Sequence, residues 1–239
     1  MKGENMKETI KMGGIDLPVL GEVTFSGTYD PYYNQIHLVM PFTRTFMINR
    51  LTADYLPMGI IWHPIMFKDQ EVEFKGDWIK PVIIPENAPE HPHALDAITK
   101  INHFIRMHEF VDDDYYIQTT DDGMFEPNVF SAIKEMDDEV VIISLKRGDH
   151  IPPGVPAVRA YPTNTLFAHP DNVRIGEVSG DQVFIKGRIF KSYLWDNKSM
   201  VADGVMAMHM KEFHQVAYRP DLFSLFNYFE PGRYNGVTI

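Results

Sequence analysis

Two adjacent aspartates, Asp121 and Asp122, follow an apolar run and stand directly before Gly123, in the sequence YYIQTTDDGMF. Two neighbouring carboxylates repel each other and resist burial unless a positive charge lies near them. Carboxylate oxygens are preferred ligands of Mg²⁺ and Mn²⁺, and a metal held here would bind a substrate diphosphate. A second interpretation stays open from the pair alone, in which the acids cap a helix that begins near Glu126 or form an exposed turn with Gly123.

Three further aspartates, Asp112, Asp113 and Asp114, precede the same apolar run. Acidic residues in series between two periodic segments are typical of a solvated connection. We therefore expect these three side chains to lie in an exposed turn between a helix and a strand.

The elements that would position the aspartate pair alternate between strands and helices. Short apolar runs are typical of buried strands, and apolar residues three and four apart are typical of helices. The predicted order is strand 35–40, helix 45–56, strands 59–66 and 78–85, helix 93–110, strand 115–120, helix 126–136 and strand 139–148. This alternation predicts an α/β fold with a mostly parallel central sheet and helices on both faces. Ligands of such sheets bind beyond the carboxyl ends of the strands, which is where the aspartate pair would lie.

The remainder of the chain has a different pattern. Glycines interrupt strand-like pieces over 173–190, a helix is predicted over 201–215, and an aromatic-rich tail closes the chain. We expect a single domain with a strand-and-turn appendage over 1–35, a nucleotide-type half over 36–160 and a second half over 161–239.

Composition excludes several classes of protein. The 239 residues carry a net charge of −11, which argues against binding to a nucleic-acid backbone. Cysteine is absent, so disulfides, thiolate metal sites and cysteine nucleophiles are excluded. There is no apolar run of about 18 residues and no signal-like N-terminus, so we expect a cytoplasmic protein without a membrane span.

Three segments in order resemble GT-A glycosyltransferases of the nucleotide-diphospho-sugar transferase superfamily, family-2-like. They are IHLVMPFTR at 36–44, AITKINHFI at 97–105 and YYIQTTDDGMFEPNVF at 115–130. The resemblance covers about residues 36–147 and implies a metal-dependent, hexosyltransferase-like enzyme. Such an enzyme moves a sugar from a nucleotide-diphosphate donor to the hydroxyl of a glycan, lipid or protein acceptor.

The resemblance also implies site residues. Asp122 and Asp121 would bind Mn²⁺ or Mg²⁺, and Thr43, Arg44 and Asn102 would lie near the donor. The family motif has two aspartates two residues apart, and Thr120 stands at the first of those places. The sequence therefore departs from the family at the metal motif itself.

Four candidates lie in the second half of the chain. By the same resemblance, Asp203 at the start of the helix over 201–215 is the candidate base of an inverting transfer, and helix capping is the alternative interpretation. Asp181 and Gln182 would shape the acceptor pocket, or simply form a turn. Arg233 could bind a phosphate through both guanidinium edges, or be an ordinary surface arginine.

Other classes fit less well. Phosphatases of the haloacid dehalogenase type need an aspartate nucleophile where this chain has Thr120. Sugar-phosphate nucleotidyltransferases open with a glycine-rich loop, and VMPFTR has no glycine. His209 and His214 are five residues apart, and the ten histidines do not predict a metal site. A non-catalytic α/β binding or structural protein stays open, as does the choice between inversion and retention.

Overall fold

A computed structural model of the chain describes residues 9–12, 15–18, 34–42, 59–74, 76–88, 94–121, 123–147, 165–195 and 202–226. The chain divides into two compact units, Met1–Tyr32 and Tyr33–Ile239. In the first unit, strands β1 (Thr9–Met12) and β2 (Ile15–Pro18) pair in antiparallel fashion.

The second unit holds one large sheet and several helices. Its described strands are β3 (Ile36–Pro41), β4 (Ile61–Phe67), β5 (Val82–Ile84), β6 (Tyr115–Gln118), β7 (Gly123–Phe125), β8 (Val140–Arg147), β9 (Thr165–Leu166), β10 (Val183–Lys186) and β11 (Val216–Phe226). Its described α-helices are α1 (Ala94–Met107), α2 (Val129–Lys134), α3 (Gly187–Phe190) and α4 (Ala202–Phe213). None of the helices in the described part of the chain is long and apolar enough to cross a membrane.

The strand order of the large sheet is β5-β4-β3-β6-β10-β8-β11-β7, with β9 paired to β8. Strands β5, β4, β3 and β6 are parallel to one another, and β8 is parallel to β11. The antiparallel strand β10 lies between β6 and β8, and β7 and β9 are also antiparallel to their neighbours. Most strands therefore run in one direction, and the predicted α/β fold with a mostly parallel sheet is confirmed.

Apolar side chains cover both faces of the sheet. One cluster packs α1 and α4 against residues such as Val39 of β3, and the other packs α2 against Leu38 of the same strand. Successive residues of a strand point to opposite faces, so the two clusters lie on opposite sides of the sheet. The prediction of helices on both faces is confirmed.

The connection after β6 differs from the prediction. The short strand β7 follows the aspartate pair, and α2 begins only at Val129. The N-cap of α2 is Asn128, so the capping interpretation is wrong for Asp121. The local pattern missed β7 because its partner, β11, lies about a hundred residues later in the chain.

Candidate functional site

The carboxyl ends of the parallel strands form one edge of the sheet, which we call the carboxyl edge. Phe42 follows β3, the 3₁₀ turn Lys68–Gln70 follows β4, and Thr119–Asp121 follows β6. The 3₁₀ turn Gly180–Gln182 precedes β10, which runs in the opposite direction, and so it lies at the same edge. Segments from both halves of the chain therefore meet where α/β sheets bind ligands.

Asp121 lies in a tight turn at this edge. The N–H of Gly123 donates to the carbonyl oxygen of Thr120 at 3.0 Å and closes the turn. A Cβ atom at Gly123 would lie 2.7 Å from Oγ1 of Thr119, so a larger residue here would force the Thr119 side chain to move. Only 2% of Asp121 is exposed to solvent, and the exposed-turn interpretation is wrong for this residue.

Lys100 of α1 supplies a positive charge close to Asp121. Its side chain is fully buried, and its Nζ donates to the carbonyl oxygen of Phe42 and to Oε1 of Gln70, both at 2.9 Å. Burial lowers the pKa of Lys100 to about 8, and the charge of Asp121 is the largest of those that oppose the shift. A buried cation therefore accompanies the buried carboxylate at the carboxyl edge.

Lys100 was not predicted from the sequence, although a signal was present. Lys100 lies three residues after Ala97 and four before Phe104, on the apolar face of α1. A lysine on such a face is buried only when oxygen atoms receive its hydrogens.

Two further oxygen atoms lie near this turn in the chain. Oε1 of Gln118 and Oγ1 of Thr120 are buried and have no hydrogen-bond partner among the described residues. Buried polar atoms are normally satisfied, so such oxygens suit a ligand or an ion. Together with the carboxylate of Asp121 they are hard oxygen donors, which fits Mg²⁺ or Mn²⁺.

Asp203 connects α4 to the carboxyl edge. Its Oδ2 accepts a hydrogen bond from the N–H of Gly180 at 3.0 Å. Burial raises the pKa of Asp203, while hydrogen bonds from the N–H groups of Gly180 and of Asp203 itself act in the opposite direction. Because α4 begins at Ala202, Asp203 lies inside the first turn of the helix. The structure therefore brings Asp203 to the segment that contains Asp181 and Gln182.

Gln182 has a structural role. Its Nε2 donates to the carbonyl oxygen of Ile143 at 3.0 Å, and its Oε1 accepts the N–H of Ser179 at 3.0 Å. Both ends of the amide thus bind main-chain groups, and we do not retain Gln182 as an acceptor contact. Asp181 is buried beside it, and its predicted contact with the acceptor stays a prediction.

The side-chain amide of Asn102 also has a structural role. Its Nδ2 donates to the carbonyl oxygen of Trp195 at 2.9 Å, and its Oδ1 accepts the N–H of Trp195 at 2.8 Å. The buried amide therefore joins α1 to a segment 93 residues later. We do not retain Asn102 as a donor contact.

Four predicted site residues, Thr43, Arg44, Asp122 and Arg233, lie outside the described residues, as does the predicted helix over 45–56. Their roles stay predictions.

The turn at Gly180 offers a direct test of the packing at this edge. A Cβ atom at Gly180 would lie 1.6 Å from Oε1 and 2.7 Å from Cδ of Gln118, so Gly180→Ala forces the Gln118 side chain to move. We expect Gly180→Ala to lower the free energy of unfolding by about 1–3 kcal/mol in urea titrations. In the background of Gln118→Ala, the same Gly180→Ala change should cost much less free energy of unfolding, because the clashing side chain is gone. If the free-energy changes of the two single variants simply add in the double variant, the contact between these residues is contradicted.

The structure also corrects two interpretations away from the carboxyl edge. Asp112 and Asp113 are exposed, as expected, but Asp114 is buried. The Oδ1 of Asp114 accepts the N–H of Gln35 at 2.9 Å, and its Oδ2 lies 3.1 Å from Nε2 of His37.

The histidines are the second correction. Ring nitrogens of His37, His63 and His108 lie within 4.8 Å of one another, a grouping that could hold a metal ion. The sequence spacing gave no sign of this cluster, because pairing of β3 with β4 brings the first two histidines together.

Comparisons with known proteins gave structural matches only. No protein-family model matches the chain, and no curated protein matches it. The similar solved structures include S. aureus TarS 1–349 in complex with UDP-GlcNAc, at 12% identity and a TM-score of 0.48, covering 86% of this chain and 62% of that one.

They also include the mannosyltransferase PcManGT from Pyrobaculum calidifontis in complex with GDP-Man and Mn²⁺, at 11% identity and a TM-score of 0.48, covering 86% of this chain and 61% of that one. The UTP-bound UGPase from Acinetobacter baumannii is similar at 10% identity and a TM-score of 0.44, covering 81% and 88% of the two chains. The chain thus spans about three fifths of the first two structures. At these identities the likeness concerns the fold alone.

Proposed function

We propose that this chain is a metal-dependent glycosyltransferase that moves a sugar from a nucleotide-diphosphate donor to an acceptor hydroxyl. The observation that carries the proposal is the buried Asp121 near the buried Lys100 at the carboxyl edge. Burial of a carboxylate and an ammonium costs free energy that apolar residues would not cost. A pair of this kind, at the edge where α/β sheets bind ligands, is favoured when the charges act on a ligand.

In this proposal Asp121 and Asp122 hold Mn²⁺ or Mg²⁺, with Gln118 and Thr120 as further oxygen donors. A metal held by these residues would supply positive charge that stabilises the leaving nucleoside diphosphate. Lys100 is a positioning residue, because its charge lies near Asp121 and its hydrogen bonds fix the segments that follow β3 and β4. Thr43, Arg44 and Arg233 are the proposed donor contacts outside the described residues.

Asp203 is the proposed base if the transfer inverts the anomeric carbon. A general base works best with a pKa raised toward the operating pH, and burial shifts Asp203 in that direction. The N–H of Gly180 fixes Oδ2 of this carboxylate at the carboxyl edge. Asp181, in the same turn, is the proposed acceptor contact.

Ligand binding tests the proposal. We expect nucleoside-diphosphate sugars to raise the Tm of the full chain in the presence of Mn²⁺, and to raise it much less after chelation, because a ligand that binds only the folded state stabilises it by mass action. The panel should contain UDP-, GDP-, ADP- and dTDP-sugars, with the matching nucleoside monophosphates as controls. If no member of the panel shifts the Tm with Mn²⁺ present, the protein is not a transferase of this kind, and the non-catalytic α/β alternative holds.

A further inference from the structure

A histidine cluster lies near the amino ends of the parallel strands, away from the carboxyl edge. His37 is the second residue of β3 and pairs in register with Ile61 and Tyr116, while His63 lies in β4. His108 directly follows α1, and its N–H donates to the carbonyl oxygen of Phe104. The cluster therefore joins two strands to the end of the helix that covers them.

The nitrogen atoms of the cluster converge. Nδ1 of His37 lies 2.9 Å from Nε2 of His63, and ligand nitrogens of all three residues lie within 4.8 Å of one another. Zinc–nitrogen bonds of about 2.0–2.1 Å in a tetrahedral site place the nitrogens roughly 3.4 Å apart. Small side-chain rotations would bring the cluster to that geometry.

Hydrogen bonds on the outer side of the rings direct lone pairs into the cluster. Nε2 of His37 lies 3.1 Å from Oδ2 of Asp114 and must carry the hydrogen there, because an ionised carboxylate only accepts. The His37 lone pair on Nδ1 therefore points at His63. The His63 ring also has a hydrogen bond with the main chain of Lys80, which we assign to Nδ1 because Nε2 faces His37.

With both outer hydrogen bonds made, the two facing nitrogens lie 2.9 Å apart and need one hydrogen or one metal ion between them. Without either, the contact is repulsive. A metal ion removes the repulsion, since neutral imidazole is the form that ligates metals.

We propose that His37, His63 and His108 bind a divalent transition-metal ion, Zn²⁺ by preference, in a site separate from the proposed donor site. Three imidazole nitrogens suit Zn²⁺ rather than the oxygen-preferring Mg²⁺ or Mn²⁺. The contact of His37 with Asp114 is the carboxylate–histidine–metal arrangement that orients metal-binding histidines. His108 is only partly buried, whereas His37 and His63 are buried.

The bound ion would act as a cross-link between β3, β4 and the end of α1. Its loss should therefore lower stability and leave donor binding at the carboxyl edge unchanged when Mn²⁺ is supplied. This separation makes the metal proposal independent of the proposed function.

The test uses the full chain without a histidine tag, stripped with a chelator and titrated with Zn²⁺ or Co²⁺. We expect one equivalent of either ion per chain, a rise in Tm with Zn²⁺, and visible absorption of Co²⁺ typical of a tetrahedral site. His108→Phe should lower the Zn²⁺ affinity at least tenfold, since it removes one ligand but keeps a ring stacked on Phe104. His209→Phe, a matched change on α4, should leave the affinity unchanged.

Two results would overturn the site. The first is a folded wild-type chain that takes up neither Zn²⁺ nor Co²⁺ in stoichiometric amount. The second is a His108→Phe variant that binds Zn²⁺ as tightly as the wild type, which would place the ion elsewhere. His108→Phe is preferred to changes at His63 because His63 is almost fully buried and its replacement could unfold the chain.

Discussion

Asp121→Asn should reduce sugar transfer from the donor by about 100- to 1,000-fold, measured as kcat/KM with Mn²⁺ in excess. Under the proposed function, the change replaces a charged oxygen ligand with a neutral amide of the same shape, and metal stabilisation of the charge in the transition state is worth several kcal/mol. Each loss of roughly 1.4 kcal/mol lowers the rate tenfold. The Mn²⁺-dependent rise in Tm with the donor should be lost in parallel.

The matched control is Asp112→Asn, which changes an exposed aspartate whose Oδ1 lies 2.6 Å from Nζ of Lys191. We expect this control to keep both transfer and the donor-dependent shift, because exposed ion pairs contribute little. Circular dichroism of Asp121→Asn should show a folded chain. Full transfer by folded Asp121→Asn would remove this carboxylate from the mechanism.

Lys100→Met should change how stability depends on pH. The folded-state pKa of Lys100 is lowered from 10.5 to about 8, so between these values the unfolded chain binds a proton that the folded chain does not. The free energy of unfolding therefore rises as the pH increases from about 8 to 10.5. Below pH 8, the destabilisation caused by burying the charged Lys100 is fully present. The wild type should gain about 3 kcal/mol over this range relative to Lys100→Met, at roughly 1.4 kcal/mol for each pKa unit.

Urea denaturation at several pH values measures the difference in free energy of unfolding between the wild type and Lys100→Met. All other groups titrate in both proteins, so their contributions cancel in this difference. Lys211→Met, a change at an exposed lysine of α4, should follow the wild type at every pH. A wild-type-to-variant difference that stays constant from pH 7.5 to pH 10 would show that Lys100 has an ordinary pKa. Under the proposed function, Lys100→Met should also weaken Mn²⁺-dependent donor binding, since it leaves Asp121 without its buried cation.

The sequence alone predicted most of the described elements in the first half of the second unit, although it missed β7. The apolar stripe of α1, from Ile98 to Ile105, and the short apolar runs of β3, β4, β6 and β8 report burial directly. Their alternation predicted the mostly parallel sheet, and a strand that ends at Asp121 in such a sheet places this carboxylate at the carboxyl edge.

The local sequence pattern could not determine which polar side chains have a structural role and which bind a ligand. Asn102 and Gln182 have residue types that suit ligand binding, yet their amides bind main-chain groups 93 and 39 residues away. Burial leaves such amides no water, so the nearest unpaired main-chain group becomes their partner. That group is known only once the distant segments have packed together.

The sequence by itself determined that a carboxylate pair follows a buried strand of an α/β sheet. The tertiary structure decided that Lys100 accompanies Asp121, that Asp203 reaches the turn at Gly180, and that three histidines converge near the other end of the strands. The physical reason is the separation along the chain of the residues that make contact. Periodicity reports which face of one element is buried, whereas contacts between charges and ring nitrogens depend on how strands far apart in the chain are paired and aligned.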